Sequence, residues 1–362
     1  MKTLLVGYRA ADLNRRFLAD CGDVTCHVLD IYHRHAIEKV HHLKVVCSPH
    51  LPEGDWDVVK FRTGPKLMSG ELALDMLQEC KRVANGKPVQ VDFVGKERDR
   101  NALVEKVFGK DSRERSFVAK YTASVPGASP IELISLPGCF CHRRTDEGGL
   151  ALAEVAAKLI LSAEFQVPLA TGDSQLPTLN LKLLDMGCGN GLVGFLIASA
   201  FHHSSLITHH SSLITHHSSL TTHHSSLTTH HSSLTTPHSS FLIPHFSSLS
   251  LVMVDSHSRA VEAANINSRN LGIPTEVILA DNGTPQRMDG TFDVFVGNPP
   301  YYSEYRIAEV FYETAKRALK TGGHCFMVCK NSDGLRPVAE QYFPDITIIP
   351  RRGYSVLHAI KK

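Results

Sequence analysis

The sequence predicts two α/β domains in tandem, each built on a parallel β-sheet with helices on both faces. The first observation is length, because 362 residues at about 150 residues per domain are enough for two separate cores. The second is composition, with 43% hydrophobic and 20% charged residues, which excludes a collagen-like, coiled-coil or wholly disordered chain. The third is the alternation of short apolar segments with longer segments of helical periodicity, which favours parallel sheets.

Composition also limits where the protein works and what it binds. No apolar run approaches the ~18 residues of a membrane span, and the apolar Leu4–Val6 segment is too short for a signal peptide. The nine cysteines are odd in number, and Cys139-x-Cys141 lacks a second pair with zinc spacing. We therefore expect reduced thiols, no metal, no membrane partner and a cytoplasmic location. The net charge of +2 does not by itself indicate nucleic-acid binding.

The N-terminal domain is predicted to span residues 1–130. None of its strand ends carries a glycine-rich turn with acidic partners, so we expect no cofactor there. Basic residues after the third predicted strand either form a solvated helix face or contact RNA phosphates. The predicted strands are Leu4–Tyr8, Asp57–Phe61 and Pro88–Val94, the helices are Ser69–Val83 and Arg98–Phe108, and the basic residues are Lys96, Arg98, Arg100, Lys106 and Lys110.

The domain predicted over residues 131–362 contains a glycine-rich turn. The strand Leu179–Met186 has Asp185 near its end and is followed by Gly187-Cys188-Gly189-Asn190-Gly191 and an apolar helix. Glycines at such a turn let the backbone approach a ligand closely and leave the amides of the helix N-terminus available. The pattern alone is equally consistent with a nucleotide site and with a tight structural turn.

The next three predicted strands also end in polar residues. Leu249–Val254 leads to Asp255, which is suited either to the hydroxyls of a ribose or to capping the next helix. Glu276–Ala280 leads to Asp281 and Asn282, which are suited to an adenine amino group. Because open α/β sheets bind ligands at the carboxyl ends of their strands, these residues predict a nucleotide-binding edge.

The fourth strand, Thr291–Gly297, ends in the most specific motif of the chain, Asn298-Pro299-Pro300-Tyr301. Proline fixes its own φ and restricts the residue before it, which holds the Asn298 amide and the Pro299 carbonyl rigidly. Two converging acceptors can hold an NH2 group through its two protons. Tyr301 then supplies a ring to stack on the planar group that carries the amine.

A tandem heptad repeat interrupts the second domain over residues 202–243. Its first unit is His202-His203-Ser204-Ser205-Leu206-Ile207-Thr208, and half of the 22 histidines lie within the repeat. Each regular unit has only one or two adjacent apolar residues, which do not make the seam of a coiled coil. Neighbouring histidines on an extended backbone point to opposite sides, so a functional metal site is not expected. We interpret the repeat as a low-complexity surface insertion between a helix and a strand.

From about Leu136 to Lys362 the chain resembles the class I S-adenosylmethionine-dependent methyltransferases, specifically the small-domain family that modifies amino or amide nitrogens. The resemblance rests on the motifs above together with Phe140-x5-Asp146-x-Gly148, Lys320–Gly323 before the strand His324–Cys329, and Gly353–Val356 in the last strand. The layout of the first half resembles the degenerate N-terminal domain of the two-domain rRNA guanine-N2 methyltransferases. The resemblance thus implies two Rossmann-like methyltransferase-type domains, of which the second is catalytic.

By this resemblance the cofactor is S-adenosyl-L-methionine. Asp185, Gly187, Gly189 and Gly191 would flank its methionine part, Asp255 its ribose, and Asp281 with Asn282 its adenine. Phe140 and Asp146 would lead into the cofactor pocket, and Asn298, Pro299, Pro300 and Tyr301 would bind the target.

The function expected from these features is methyl transfer to an exocyclic amine, with guanine N2 of ribosomal RNA as the first candidate and ribosomal RNA or a ribosomal subunit as partner. The amide of a protein glutamine and adenine N6 offer the same NH2 geometry and remain alternatives. A non-catalytic RNA-binding protein is an alternative of another class.

The repeat provides a direct test of its own role. We expect deletion of residues 202–243 to leave the melting temperature and the affinity for S-adenosylmethionine unchanged or improved, because long surface loops cost little free energy to close. Thermal unfolding and titration calorimetry on the deletion protein measure both quantities. Loss of cofactor binding in a deletion protein that still folds would mean that the repeat is functional.

Overall fold

A computed structural model describes residues 1–162, 165, 179–202, 246–300 and 305–362. It confirms the predicted class, since the described residues form two α/β domains whose sheets are wholly or mainly parallel, with a short hairpin between the two sheets in chain order. Residues 203–243 of the repeat, and Tyr301, lie outside the described residues. All nine cysteines lie within the described part of the chain, and none forms a disulfide.

The N-terminal sheet has five parallel strands in the order β3-β2-β1-β4-β5. These strands are β1 (Lys2–Val6), β2 (Asp23–Val28), β3 (Lys44–Cys47), β4 (Val58–Thr63) and β5 (Val89–Phe93). The helices are α1 (Arg15–Ala19), α2 (Ile31–His41), α3 (Gly70–Ala84) and α4 (Glu97–Phe108), with a short 3-10 helix at Ala10–Asp12. The three strands and two long helices predicted from sequence are confirmed. The sequence pattern did not predict β2 and β3. Strand β3 has only four residues, and β2 contains polar residues such as the buried His27.

Helix α3 shows how local sequence and packing agree in this domain. Its N-cap is Ser69, whose side-chain oxygen accepts a hydrogen bond from the Leu72 backbone N–H at 3.2 Å. Its apolar face, which includes Leu72 and Leu77, packs on buried strand residues such as Phe61. The opposite face remains polar, and part of it contacts the second domain.

A two-stranded hairpin, β6 (Ala119–Ala123) and β7 (Ile131–Ser135), follows the first domain. It spans the division predicted at residue 130. Ala123 and Leu133 belong to the same hydrophobic cluster as the C-terminal sheet, so the packing assigns both strands to the second domain.

The C-terminal sheet has seven strands in the order β10-β9-β8-β11-β12-β14-β13. The first five are parallel, and β14 is antiparallel to both of its neighbours. The strands are β8 (Leu179–Met186), β9 (Phe246–Asp255), β10 (Thr275–Leu279), β11 (Phe292–Gly297), β12 (Leu319–Cys329), β13 (Thr347–Arg351) and β14 (Tyr354–Ile360). Taken in chain order, the five parallel strands follow the same third-second-first-fourth-fifth sequence as the N-terminal sheet. The two domains therefore share one topology.

Helices cover both faces of this sheet, as the nearly continuous apolar strands require. Successive residues of a strand pack on opposite faces, with Leu183 in the cluster beneath α5 and α6 and Leu184 in the cluster beneath α8 and α9. The helices are α5 (Glu147–Ile160), α6 (described over 192–202), α7 (Ser258–Leu271), α8 (Arg306–Ala318) and α9 (Ser332–Tyr342), with a 3-10 helix at Gln286–Met288.

Strand β12 begins earlier than sequence analysis predicted. The Lys320–Gly323 segment was expected to precede a strand that starts at His324, but it is part of β12. The Gly322 N–H donates to the Lys361 carbonyl at 2.7 Å and the Lys361 N–H donates to the Gly323 carbonyl at 2.9 Å. These backbone hydrogen bonds extend the strand past its glycines.

The two domains meet at a buried arginine at the start of α7. The side chain of Arg259 is 3% exposed and donates hydrogen bonds to Asp75 at 2.5 Å and Glu79 at 3.2 Å, both on α3. It also donates to the Pro49 carbonyl at 3.0 Å. A buried guanidinium without such partners would be costly, so this cluster fixes the relative position of α3 and α7.

We expect Arg259→Met to lower the free energy of unfolding by about 3–5 kcal/mol, because it leaves two poorly exposed carboxylates without their cation. Urea denaturation of the full chain measures this loss. The matched control is Arg143→Met, which removes a half-exposed arginine that pairs with Glu71 on the same helix α3. That change should cost about 1 kcal/mol or less. Equal losses in the two variants would contradict the importance of the buried cluster.

Candidate functional site

The glycine-rich turn between β8 and α6 leaves an open space above one of its three glycines. Gly187, Gly189 and Gly191 have φ values of +69°, +57° and +90°, which favour glycine. A Cβ on Gly187 would lie 2.8 Å from the Phe311 ring, and one on Gly191 would lie 2.3 Å from the Phe195 ring. A Cβ on Gly189 would meet nothing within 4 Å. Gly187 and Gly191 are therefore required by packing, whereas Gly189 borders space that a ligand can enter.

Asp255 lies directly beside this turn. The register of β8 against β9 pairs Met186 with Val254, which places the end of β9 next to the glycines. One oxygen of the Asp255 carboxylate accepts the Gly189 N–H at 2.8 Å, and the other accepts the His257 N–H at 2.9 Å. Burial raises the pKa of Asp255, and these two backbone N–H donors partly offset that rise. Each oxygen keeps a second lone pair, so the group can also accept the hydroxyls of a bound ribose.

Asp185 lies beneath the turn and not at its surface. Its side chain is 2% exposed and accepts the Gly194 N–H of α6 at 2.9 Å. Burial raises the pKa of Asp185 from its ordinary value of 3.8 to about 7. The Asp185 side chain therefore fixes the start of α6, and its burial beneath the turn keeps it from contacting a ligand there.

Asp281 follows β10 at the same sheet edge. The Ala280 N–H donates to the Asp255 backbone carbonyl at 3.0 Å, so the ends of β9 and β10 are adjacent. The Asp281 side chain is 15% exposed, and its Oδ2 lies 3.1 Å from Nδ1 of His35 in the N-terminal domain. Its neighbour Asn282 is exposed.

The structure joins two predicted site residues that are 152 positions apart. The side-chain amide of Asn298 donates to the Asp146 carboxylate at 2.6 Å. That carboxylate also caps α5, since it accepts the Gly148 N–H at 3.1 Å and the Gly149 N–H at 2.9 Å. Burial raises the pKa of Asp146, and these donors partly oppose the shift. Pro299 is buried and Pro300 half-buried beside this contact.

Phe140 is not brought into this group. Its side chain is 72% exposed, in the loop that carries Asp146 six residues later. Tyr301, which was predicted to stack on the target, lies outside the described residues.

A polar network that was not predicted from the sequence supports the glycine-rich turn on the side of the β6–β7 hairpin. Asn190, the residue between Gly189 and Gly191, donates to the Tyr121 hydroxyl and to the Ile134 carbonyl, both at 2.8 Å. Asn267 on α7 donates to the carbonyls of Ile134 and Asn190, both at 2.9 Å. The hairpin therefore holds the glycine-rich turn, and only the position of Asn190 within that turn was visible in the sequence.

Four strand ends thus contribute to one sheet edge. Gly189 after β8 contacts Asp255 of β9, Asp281 follows the adjacent end of β10, and the Asp146–Asn298 contact lies at the end of β11, which neighbours β8. Within the described ranges, no group of three histidine, cysteine or acidic side chains is arranged to hold a metal ion. No helix in that part of the chain is long and apolar enough to cross a membrane.

The C-terminal domain matches a known family model, and the chain has relatives of similar sequence. Residues 238–358 match the family model of the methyltransferase small domain. Ribosomal RNA small subunit methyltransferase C of Pseudomonas syringae pv. tomato is 22% identical over 217 residues, which cover 59% of this chain and 46% of that protein. The protein of the same description from Vibrio vulnificus is 22% identical over 246 residues, which cover 67% of this chain and 52% of that protein. The chain thus spans about half the length of these curated relatives.

A solved structure matches both domains. The T. thermophilus 16S rRNA N2 methyltransferase RsmC, in complex with AdoMet and guanosine, superimposes with a TM-score of 0.68 at 15% identity. The alignment covers 100% of this chain and 88% of that one. The described residues therefore share the two-domain fold of that protein.

The raised pKa of Asp185 predicts a pH-dependent stability. Because the folded state retains a proton that the unfolded state has lost, the free energy of unfolding falls as pH rises from about 4 to about 7 and levels off above that. Asp185→Asn cannot show this dependence. We expect the stability of the variant relative to wild type to rise across that window by up to about 4 kcal/mol, as measured by urea denaturation. A difference that stays constant from pH 4 to pH 8 would mean that the buried carboxylate is ionised throughout.

Proposed function

Since the chain belongs to the class I S-adenosylmethionine-dependent methyltransferases and carries their small domain, we propose that it methylates an exocyclic amine, guanine N2 of ribosomal RNA, using S-adenosyl-L-methionine.

The contact between Asp146 and Asn298 is the observation that carries the proposal. The Asp146 carboxylate accepts the Asn298 N–H as well as two backbone N–H groups, so the Asn298 amide has its NH2 toward Asp146 and its oxygen on the opposite side. That oxygen and the Pro299 carbonyl can accept the two protons of a planar NH2 group. The nitrogen lone pair then points out of the plane of these two acceptors, toward an incoming methyl group.

The cofactor supplies a methyl group that is already activated on a sulfonium, so the residues of the chain bind and orient. Asp255 would hold the ribose, and Asp281 with Asn282 the adenine. The open space above Gly189 would take the methionine part, while Gly187, Gly191 and Asp185 shape the turn from below. Asp146 contributes through Asn298, and Phe140 would have to move to reach the cofactor.

No general base is needed for this reaction. Methyl transfer is an in-line displacement whose rate depends on alignment of the nitrogen, the methyl carbon and the sulfur. The amine loses its proton after attack. Tyr301 would stack on a base turned out of its helix, next to the amine held by Asn298 and Pro299.

The choice of guanine in ribosomal RNA is supported by the named relatives and by the two-domain layout. The relatives are described as ribosomal RNA small subunit methyltransferases, and the solved structure as an N2 enzyme with bound guanosine. The N-terminal sheet repeats the strand order of the catalytic one without its glycine-rich turn, as expected for a degenerate copy.

Asn298→Ala tests the proposed chemistry. Loss of one oriented acceptor should slow methyl transfer by about 10²-fold or more, by analogy with loss of a single oxyanion-hole donor. Cofactor affinity should change little, because the lost contact orients only the nucleophile. Single-turnover transfer of labelled methyl groups to unmodified 16S rRNA and small subunits gives the rate, and calorimetry with S-adenosylhomocysteine gives the affinity. Mass spectrometry of the nucleosides distinguishes N2-methylguanosine from N6-methyladenosine.

The matched control is Asn331→Ala, since Asn331 follows a strand as Asn298 does, and its side chain caps α9 through the Asp333 N–H at 3.0 Å. It should lower stability by about 0.5–2 kcal/mol and leave the transfer rate intact. If Asn298→Ala behaves in the same way, with lower stability and a retained rate, Asn298 has no catalytic role.

A further inference from the structure

Helix α2 of the N-terminal domain begins against the turn that follows Asp255. The Ile31 N–H donates to the Ser256 carbonyl at 2.9 Å, and the Ser258 N–H donates to the Leu29 carbonyl at 2.6 Å. Asp30 and His257 form an isolated antiparallel bridge between these bonds. The N-terminal domain thus pairs, backbone to backbone, with the two residues on either side of His257.

The residue that makes this bridge has a counterpart in the other domain. Asp30 follows β2 as Asp255 ends β9, and these strands hold the same place in the two sheets. The Asp30 carboxylate accepts the Tyr32 N–H at 2.8 Å and the Ser256 hydroxyl at 2.9 Å. In the domain without a glycine-rich turn, the equivalent carboxylate binds the neighbouring domain instead.

One helical turn further along α2, the same face reaches the next strand end. His35 is four residues after Ile31, a spacing that places both on one side of a helix. His35 Nδ1 donates to Asp281 Oδ2 at 3.1 Å, with side chains 54% and 15% exposed. Helix α2 therefore lies across the ends of both β9 and β10.

We propose that the N-terminal domain forms one wall of the nucleoside part of the cofactor site, and that His35 is a positioning residue that orients the Asp281 carboxylate toward the adenine amino group. This inference rests on the proposed function. In the described part of the chain, His35 is the one side chain that hydrogen-bonds Asp281. With Oδ2 held by His35, Oδ1 is the oxygen presented to the amine. Without His35, the carboxylate rotates about its side-chain bonds and loses that orientation.

The buried cluster at Arg259 keeps this wall in place. Arg259 is four residues after Asp255, and its bonds to Asp75 and Glu79 fix the first turn of α7 on α3. The segment that carries the ribose-binding carboxylate is thus held by α2 on one side and by α3 on the other. The N-terminal domain can therefore affect cofactor affinity without touching the reacting atoms.

The test compares two ligands that differ only at the adenine amino group. Calorimetry on the full chain measures the dissociation constants of S-adenosylhomocysteine and of S-inosylhomocysteine, in which oxygen replaces that amine. His35→Ala should raise the dissociation constant of S-adenosylhomocysteine about tenfold and change that of S-inosylhomocysteine little. The variant therefore loses the preference of wild type for the ligand with the amino group. His35→Gln, which keeps an N–H donor, should restore part of it. Arg34→Ala is the control, because Arg34 lies on the same helix, is about half-exposed and pairs with Glu38 within that helix.

Each other result overturns the inference. Equal weakening of both ligands would mean that His35 has only a general structural role, and unchanged constants would mean that it has none at the site. Both of these results leave the proposed function standing. Failure of wild type to bind S-adenosylhomocysteine at all would overturn the inference and the proposed function together.

Discussion

The carboxylate of Asp255 is the interaction on which the rest of the site depends. It accepts one backbone N–H from the glycine-rich turn and one from the start of α7. Because Gly189 and Asp255 are 66 positions apart in the sequence, the first bond joins the end of β9 to the turn that follows β8. Because both bonds are to backbone groups, they fix main-chain positions and not just side chains. The carboxylate fixes the position of Gly189 and the start of α7, and the backbone carbonyl of the same residue accepts the Ala280 N–H at the adjacent end of β10.

The domain interface is built around the same segment. Residues 256–259 pair with α2 by backbone hydrogen bonds and with α3 through a buried arginine. A buried charge of this kind is weak evidence for net stability, but it is strong evidence for a specific arrangement, since neither partner tolerates the loss of the other. The N-terminal domain, which has the same topology as the C-terminal domain, thus supports it, and Asp30 is one of the contact residues.

The end of the site at strand β11 is organised by a different carboxylate. Asp146 caps α5 and at the same time fixes the direction of the Asn298 amide, so a local helix-capping bond and a long-range contact share one group. An asparagine amide has no preferred direction of its own, and its neighbours decide which atom faces a substrate. The Asn-Pro-Pro motif supplies a rigid backbone, whereas Asp146 supplies the orientation.

The sequence by itself determined the features that depend on short-range stereochemistry and periodicity. These include the tandem α/β class, most of the strands, helices α3 and α4, the glycine-rich turn, and the polar residues at four successive strand ends. Tertiary structure alone decided which of those residues come together and in what state. It joined Asp146 to Asn298, placed Asp185 beneath the turn, left Phe140 exposed, and brought His35 from the other domain to Asp281. The physical reason is that backbone propensity acts over a few residues, whereas burial and hydrogen-bond partners are set by crossover connections that bring distant segments to one sheet edge.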